Sequence, residues 1–239
     1  MNKFLNLICS VLIATVVVSS VAVATYNANM IEAVAGAYIY NAPGTTIDIL
    51  TAGGWQAFGA MTTEHTENMT IEDYKTGLVT AFADGTSKVV VTSASHTLEA
   101  GDFITLTGTT NYNGVWEVAD ITPNTFTIPD TWVSDDATGT WAKGTTFKIQ
   151  YKGIYQFTGA HSASSAGTNQ TYGFALFKNG IFQENCWATR KYSTADIGVA
   201  ANTCLLDMEV GDEVFAALRN NTSTSDFIVY IANLVFSKQ

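Results

Sequence analysis

Phe147-Lys-Ile-Gln-Tyr-Lys-Gly153-Ile-Tyr-Gln-Phe157 is the stretch whose reading decides the fold. Phe147, Ile149 and Tyr151 alternate with polar residues, Gly153 interrupts them, and Ile154, Tyr155 and Phe157 take the run up again. A strand with one buried face requires this period of two, because successive side chains point to opposite faces of a sheet. Tyr172-Gly-Phe-Ala-Leu-Phe177 runs into the turn triplet Lys178-Asn179-Gly180. Another run ends at Val210-Gly211-Asp212, after which Val214, Phe215 and Leu218 restart it. The chain closes with Phe227-Ile-Val-Tyr-Ile-Ala-Asn-Leu-Val-Phe236. Asn-Gly and Gly-Asp supply the positive φ that tight hairpins need. No helical period intervenes, so the expected fold class is all-β, an antiparallel sandwich or jelly roll.

Ser87–Thr140 reads as a β unit of its own, with Val89-Val-Val91, Gly101-Asp102-Phe-Ile-Thr-Leu106, Tyr112-Asn-Gly114, Trp116-Glu-Val118 and Thr125-Phe-Thr-Ile128. The expected organisation is a signal-like or membrane-anchor segment at 1–24 and a linker or stalk at 25–46. A jelly-roll domain follows over 47–86 and 141–239, interrupted by an inserted small β domain at 87–140. An insertion of this kind needs its two ends close in space.

Gly153-Ile-Tyr155-Gln-Phe157, Leu176-Phe-Lys-Asn-Gly180, Leu205–Met208 leading into Gly211-Asp212-Glu-Val214, and Phe227–Phe236 together resemble the tumour necrosis factor and complement globular-head jelly roll. The form they resemble is the one found on bacteriophage appendages. Tyr38–Thr51 followed by Trp55-Gln-Ala-Phe58 is similar to that family's outer first strands, and 87–140 resembles the small β modules of phage tail and fibre proteins. The resemblance implies a homotrimer and a non-enzymatic decoration, spike or fibre head on the virion surface. Its partners would be other virion proteins and a host surface glycan or protein. Fold alone does not choose among functions. The alternative is a secreted or membrane-anchored bacterial surface protein that binds glycan or protein.

The formal charge of −10, from 11 basic and 21 acidic residues, argues against nucleic acid, which demands a basic face. The acidic residues are dispersed, as on a soluble exterior, and no Asp-x-Asp calcium loop occurs. No cofactor is expected. Lys3 precedes an apolar run from Phe4 to Ala24, ending in Ala22-Val23-Ala24 before Thr25. That pattern fits an apolar helix serving as a cleaved signal peptide, a retained membrane anchor, or a segment buried in an assembly. Asn27, Asn29, Ala33–Ala37, Pro43 and Gly44 then read as the stalk.

Of the three cysteines, Cys186 and Cys204 lie symmetrically about an expected hairpin turn at Ser193–Asp196. They read either as a disulfide made outside the cytoplasm or as two half-buried thiols on adjacent strands. Cys-x-x-Cys is absent and the histidines are isolated, so no zinc site is expected. His161 with Ser162, Ser164 and Ser165 reads as a polar loop after a core strand rather than a nucleophile, and His96 as the cap of a turn. No catalytic residue is expected. Tyr155, Phe157, Phe174, Phe215, Tyr230 and Phe236 are expected to fill the sandwich core or a threefold axis. Trp187, Arg190, Lys191 and Tyr192 mix aromatic and positive groups near the hairpin tip and form the candidate contact surface, in competition with a plain solvated hairpin end. Loops at Ser162–Gln170 and Asn220–Ser225 offer hydrogen-bonding groups to sugars or merely connect strands.

Overall fold

The computed structural model describes residues 34–136, 138–194 and 196–239. The expected apolar helix at 1–24, and 25–33 of the expected linker, lie outside these residues. Among the described residues every regular element is a strand, and no helix is long and apolar enough to cross a membrane. The chain begins with β1 (Val34–Ile47), β2 (Gln56–Ala57), β3 (Thr62–Glu67) and β4 (Met69–Glu72). Then come β5 (Lys75–Leu78), β6 (Ala81–Asp84), β7 (Val89–Thr92), β8 (Phe103–Thr107), β9 (Gly114–Glu117), β10 (Thr125–Ile128) and β11 (Thr140–Lys143). It ends with β12 (Thr146–Ile149), β13 (Gly153–Ser165), β14 (Gln170–Lys178), β15 (Ile181–Tyr192), β16 (Gly198–Met208), β17 (Glu213–Asn220) and β18 (Phe227–Lys238).

One sheet has the order β16-β13-β18-β1-β3, and a second has β15-β14-β17-β12-β4 with β2 also on β17. Strands that follow one another in sequence mostly change sheet, and the ladders are antiparallel. Each sheet turns one face inward. Tyr155, Phe157, Leu206, Phe227 and Phe236 from the first meet Phe147, Tyr172, Phe174, Leu176 and Val214 from the second. Phe147 and Phe236 touch across the layers with ring centroids 4.9 Å apart. Each such side chain contributes roughly 1.5–3 kcal/mol by leaving water. The β14–β15 hairpin closes on Asn179 (φ 49°) and Gly180 (φ 71°), the two-residue turn that the right-handed twist favours.

The second sheet is covered on its outer face as well. Ala175, Phe177, Phe215 and Ala217 form a separate cluster there, against Trp55, Phe103, Val115, Phe182 and Trp187. Phe215 therefore packs outside the sandwich and not in its core. It stands one residue from Val214, and neighbours on a strand face opposite ways. Tyr230 is half-buried.

β5 to β11 build the sheets β5-β11-β8-β9 and β10-β7-β6 around their own apolar cluster, including Phe82, Val89, Val91, Ile104, Leu106, Tyr112, Phe126 and Trp141. These sheets reach beyond the expected limits of 87–140. β5 and β6 pair with β11 and β7, and β11 continues to Lys143. Lys75-Thr-Gly-Leu78 carries too little apolar alternation to announce a strand. Gly77 lies beneath Trp141, where a Cβ would come within 2.7 Å of the indole. Residues 34–46, within the expected linker although Tyr38–Thr51 resembles an outer first strand, form most of β1. Ala35, Gly36 and Ala37 at its start give a weak signal, but ladders to both β18 and β3 take up the backbone groups.

Contacts tie these sheets to the sandwich. Lys143, 1% exposed, pairs with Asp102 and with Glu72 of β4. The Ala57 N–H donates to Thr105 Oγ1 at 3.0 Å. Phe103 lies on Gly180, whose place a Cβ would contest at 2.5 Å.

Candidate functional site

The expected contact residues around the hairpin end divide between environments. Trp187 and Tyr192 are an odd number of residues apart on β15, so they face opposite sides. Tyr192 is 1% exposed, inside the sandwich, and this corrects its expected place on a contact surface. Its hydroxyl lies 2.7 Å from Nε2 of His161. Arg190 lies with its guanidinium 5.4 Å from the Tyr192 ring and donates through Nη1 to the Val199 carbonyl, closing the edge between β15 and β16. Lys191 is exposed. Trp187 instead joins Trp55 (5.3 Å, edge-on) and Phe182 (5.2 Å) on the outer face. The Arg219 guanidinium lies over both indoles, 4.5 Å from Trp187 and 4.6 Å from Trp55. Burial lowers the Arg219 pKa from its usual value. No sequence signal brings Trp55 to this place, because its partners are distant along the chain.

Cys186 and Cys204 are bonded, with Cα atoms 5.4 Å apart. The route differs from the one the turn symmetry suggests. β15 belongs to the second sheet and β16 to the first, so the bond joins the two layers at their open edge rather than two strands of one ladder. Both residues are buried.

His161 is not in a loop: it stands within β13, 9% exposed, with Phe174 at 3.9 Å between ring centroids. The polar run after it is absorbed by tyrosines, with Ser164 Oγ 3.3 Å from the Tyr230 hydroxyl and Ser165 Oγ 2.8 Å from that of Tyr172. Burial, with a further push from the Arg190 charge, lowers the His161 pKa to about 4. Burial likewise raises the Tyr192 hydroxyl well above its usual range. Both groups are neutral at neutral pH. His96 Nε2 lies 3.0 Å from the Thr125 carbonyl oxygen. Much of the Asn220–Ser225 loop bonds inward. Asn220 is fully buried, its Nδ2 donating to Gln170 Oε1 (3.1 Å) and the Ser225 carbonyl (3.0 Å). Among the described residues no group of three or more His, Cys, Asp or Glu is placed to hold a metal ion.

Three strands of the first sheet turn a continuous set of side chains outward, away from the sandwich core. Across β16, β13 and β18, register aligns Val199, Ser162 and Ile231; then Ala201, Ala160 and Asn233; then Thr203, Thr158 and Val235; then Leu205, Gln156 and Ser237. None of these twelve is charged, in a chain of net charge −10, and the next row sets the exposed carboxylate of Asp207 beside Ile154. Val199, Leu205 and Ile231 are 58%, 55% and 49% exposed. Sequence alternation marks these residues as outward but not as neighbours, since that depends on ladder register.

The fold and this face define an antiparallel β sandwich with an exposed sheet surface that carries no charge over four rows. No protein-family model matches the chain, and no curated protein does. Similar solved structures include murine APRIL (11% identity, 69% of this chain and 100% of that one, TM-score 0.30). The Eiger TNF from S. frugiperda is similar at 10% identity, over 69% of this chain and 92% of that one, with TM-score 0.30. The CBM22-1 xylan-binding domain from Paenibacillus barcinonensis Xyn10C is similar at 10%, over 82% and 97%, with TM-score 0.28. Likeness at this level carries no argument about function.

Proposed function

We propose that this chain is a non-enzymatic jelly-roll head that assembles as a homotrimer and presents its surface to a host, as a decoration, spike or fibre head on a virion. The observation that carries the reading is the outer face of β16, β13 and β18, which runs without a charge for four rows, Val199 to Leu205 on β16, before Asp207 ends the stretch. Val199, Leu205 and Ile231 on that face are costly to leave in water, and burying them between copies offsets that cost. Around a closed threefold axis the face meets other copies of the same chain, and three heads then bind one surface with avidity. The sheets of β5–β11, between β4 and β12, act in this reading as an inserted module of 73–145 that widens the contact surface.

Size-exclusion chromatography with light scattering tests the assembly. A mass of three chains supports it, with Ala201→Arg, at the middle of the face, reverting the protein to a monomer of unchanged circular dichroism. A monomeric wild type overturns it. A second reading, a secreted or membrane-anchored bacterial surface protein, is favoured by the buried Cys186–Cys204 bond, since such bonds persist in oxidising compartments. The N-terminal mass of the native protein separates the two: a start at Thr25 indicates export, an intact Met1 a virion or anchored chain.

A further inference from the structure

The wall between the sandwich and the sheets of β5–β11 contains a cleft of about 470 Å³ that no expectation from the sequence anticipated. One side is the segment from Thr45 to Ala60 on the sandwich; the other is the outer side of β5, β11 and β8. Its volume lies within the range of small-ligand sites, about 300–1,000 Å³. The lining is rich in hydroxyls, including Thr46, Thr76 and Thr140, and has Gln56 and Asp48 beside the half-buried ring of Tyr74. No lysine or arginine lines it.

The side chains differ in how free they are. Thr105 and Thr107 are buried and donate to the carbonyls of Ala142 and Thr140, so they are structural. Thr76 is likewise engaged, donating to the Trp141 carbonyl at 2.7 Å. The Asp48 carboxylate makes no hydrogen bond or ion pair among the described residues, although Gln56 Nε2 donates to its backbone carbonyl at 2.5 Å. The hydroxyls of Thr46 and Thr140 are similarly without a protein partner. Burial raises the Tyr74 pKa, against a hydrogen bond with Thr76 and helped by the nearby Asp48 charge, so its hydroxyl stays protonated.

We propose that this cleft binds a neutral oligosaccharide, with the Asp48 carboxylate accepting hydrogen bonds from sugar hydroxyls and the Tyr74 ring covering an apolar sugar face. A carboxylate can accept from vicinal hydroxyls with both oxygens, and free threonine hydroxyls both donate and accept, which suits a polyol. The same carboxylate, with no cation near it in the lining, disfavours an acidic sugar. The inference rests on the host-attachment reading above and names the ligand class of one surface within it.

The test is an array of neutral and acidic oligosaccharides probed with the full chain, followed by calorimetric titration of the best neutral ligand. Asp48→Ala and Tyr74→Ala are each expected to weaken binding by about tenfold, the loss of one hydrogen bond to a charged group or one packed ring. Asp48→Asn, which keeps the shape, also weakens it, so the loss does not come from misfolding. Val210→Ala, at an exposed position outside the cleft, leaves binding unchanged. Absence of neutral-glycan binding, preference for acidic glycans, or unchanged affinity in Asp48→Ala or Tyr74→Ala overturns the proposal. Light scattering on the same samples keeps the two readings apart. A trimer that binds no glycan refutes the cleft alone, and a glycan-binding monomer refutes the assembly alone.

Discussion

Acid should weaken this fold through a single histidine. His161 packs among Phe58, Phe174 and Phe227, and its Nε2 meets the Tyr192 hydroxyl at 2.7 Å, while the Arg190 charge adds to the cost of protonation. In the folded chain it takes up a proton only near pH 4, whereas in the unfolded chain it does so near 6.5. Between those values the unfolded state binds more protons, so stability is complete above 6.5 and falls as pH drops through the window. A gap of about 2.5 pH units at about 1.36 kcal/mol each gives about 3 kcal/mol, a large part of a typical total stability. Carboxylates that the fold holds low, such as Asp212, begin to lose their contribution only within about one pH unit of 3.8, so the upper part of the window reports His161 alone. Urea unfolding at several pH values from about 7 to about 4 measures the effect. The double variant His161→Phe with Tyr192→Phe removes the titrating group together with the hydroxyl it would strand, and its stability is expected to stay level from about pH 7 down to about 5. A level wild-type curve, or an identical slope in the double variant, would refute the reasoning.

Two further perturbations probe the joints of the fold. Replacing both Cys186 and Cys204 with alanine frees a loop of sequence separation 18 and lets the sandwich layers part at one edge. The expected loss is roughly 3 kcal/mol in the chain-entropy account, read as a lowered urea midpoint, with no loss if the bond does not form in the native protein. Lys143→Met strands Asp102, which is nearly buried, and Glu72 at the junction of the two sets of sheets. Loss of one partner from such a buried group is expected to cost roughly 3–5 kcal/mol, seen as a drop in melting temperature; Lys143→Met with Asp102→Leu recovers part of it.

The strands legible in the sequence are those whose side chains alternate strongly: β13, β14, β17 and β18 follow the run that starts at Phe147 and its Asn-Gly and Gly-Asp turns. β1 and β5 are not legible in this way. Small residues such as Ala35 and Gly36, or Lys75-Thr-Gly-Leu78, form strands because neighbouring ladders take up their backbone groups, which side-chain pattern does not record. Tyr192 shows a further limit. Its composition and neighbours mark a contact residue, but strand parity turns it inward.

What the chain states by itself is that it is built of antiparallel strands, because period-two apolarity and positive-φ turns are local properties. Only the tertiary structure decides that Cys186 and Cys204 span two layers, that Phe215 lies outside the sandwich, and that Asp48 and Tyr74 share a cleft. Each of these depends on which strand becomes whose neighbour, and residues far apart in sequence acquire that relation only when the sheets close on one another.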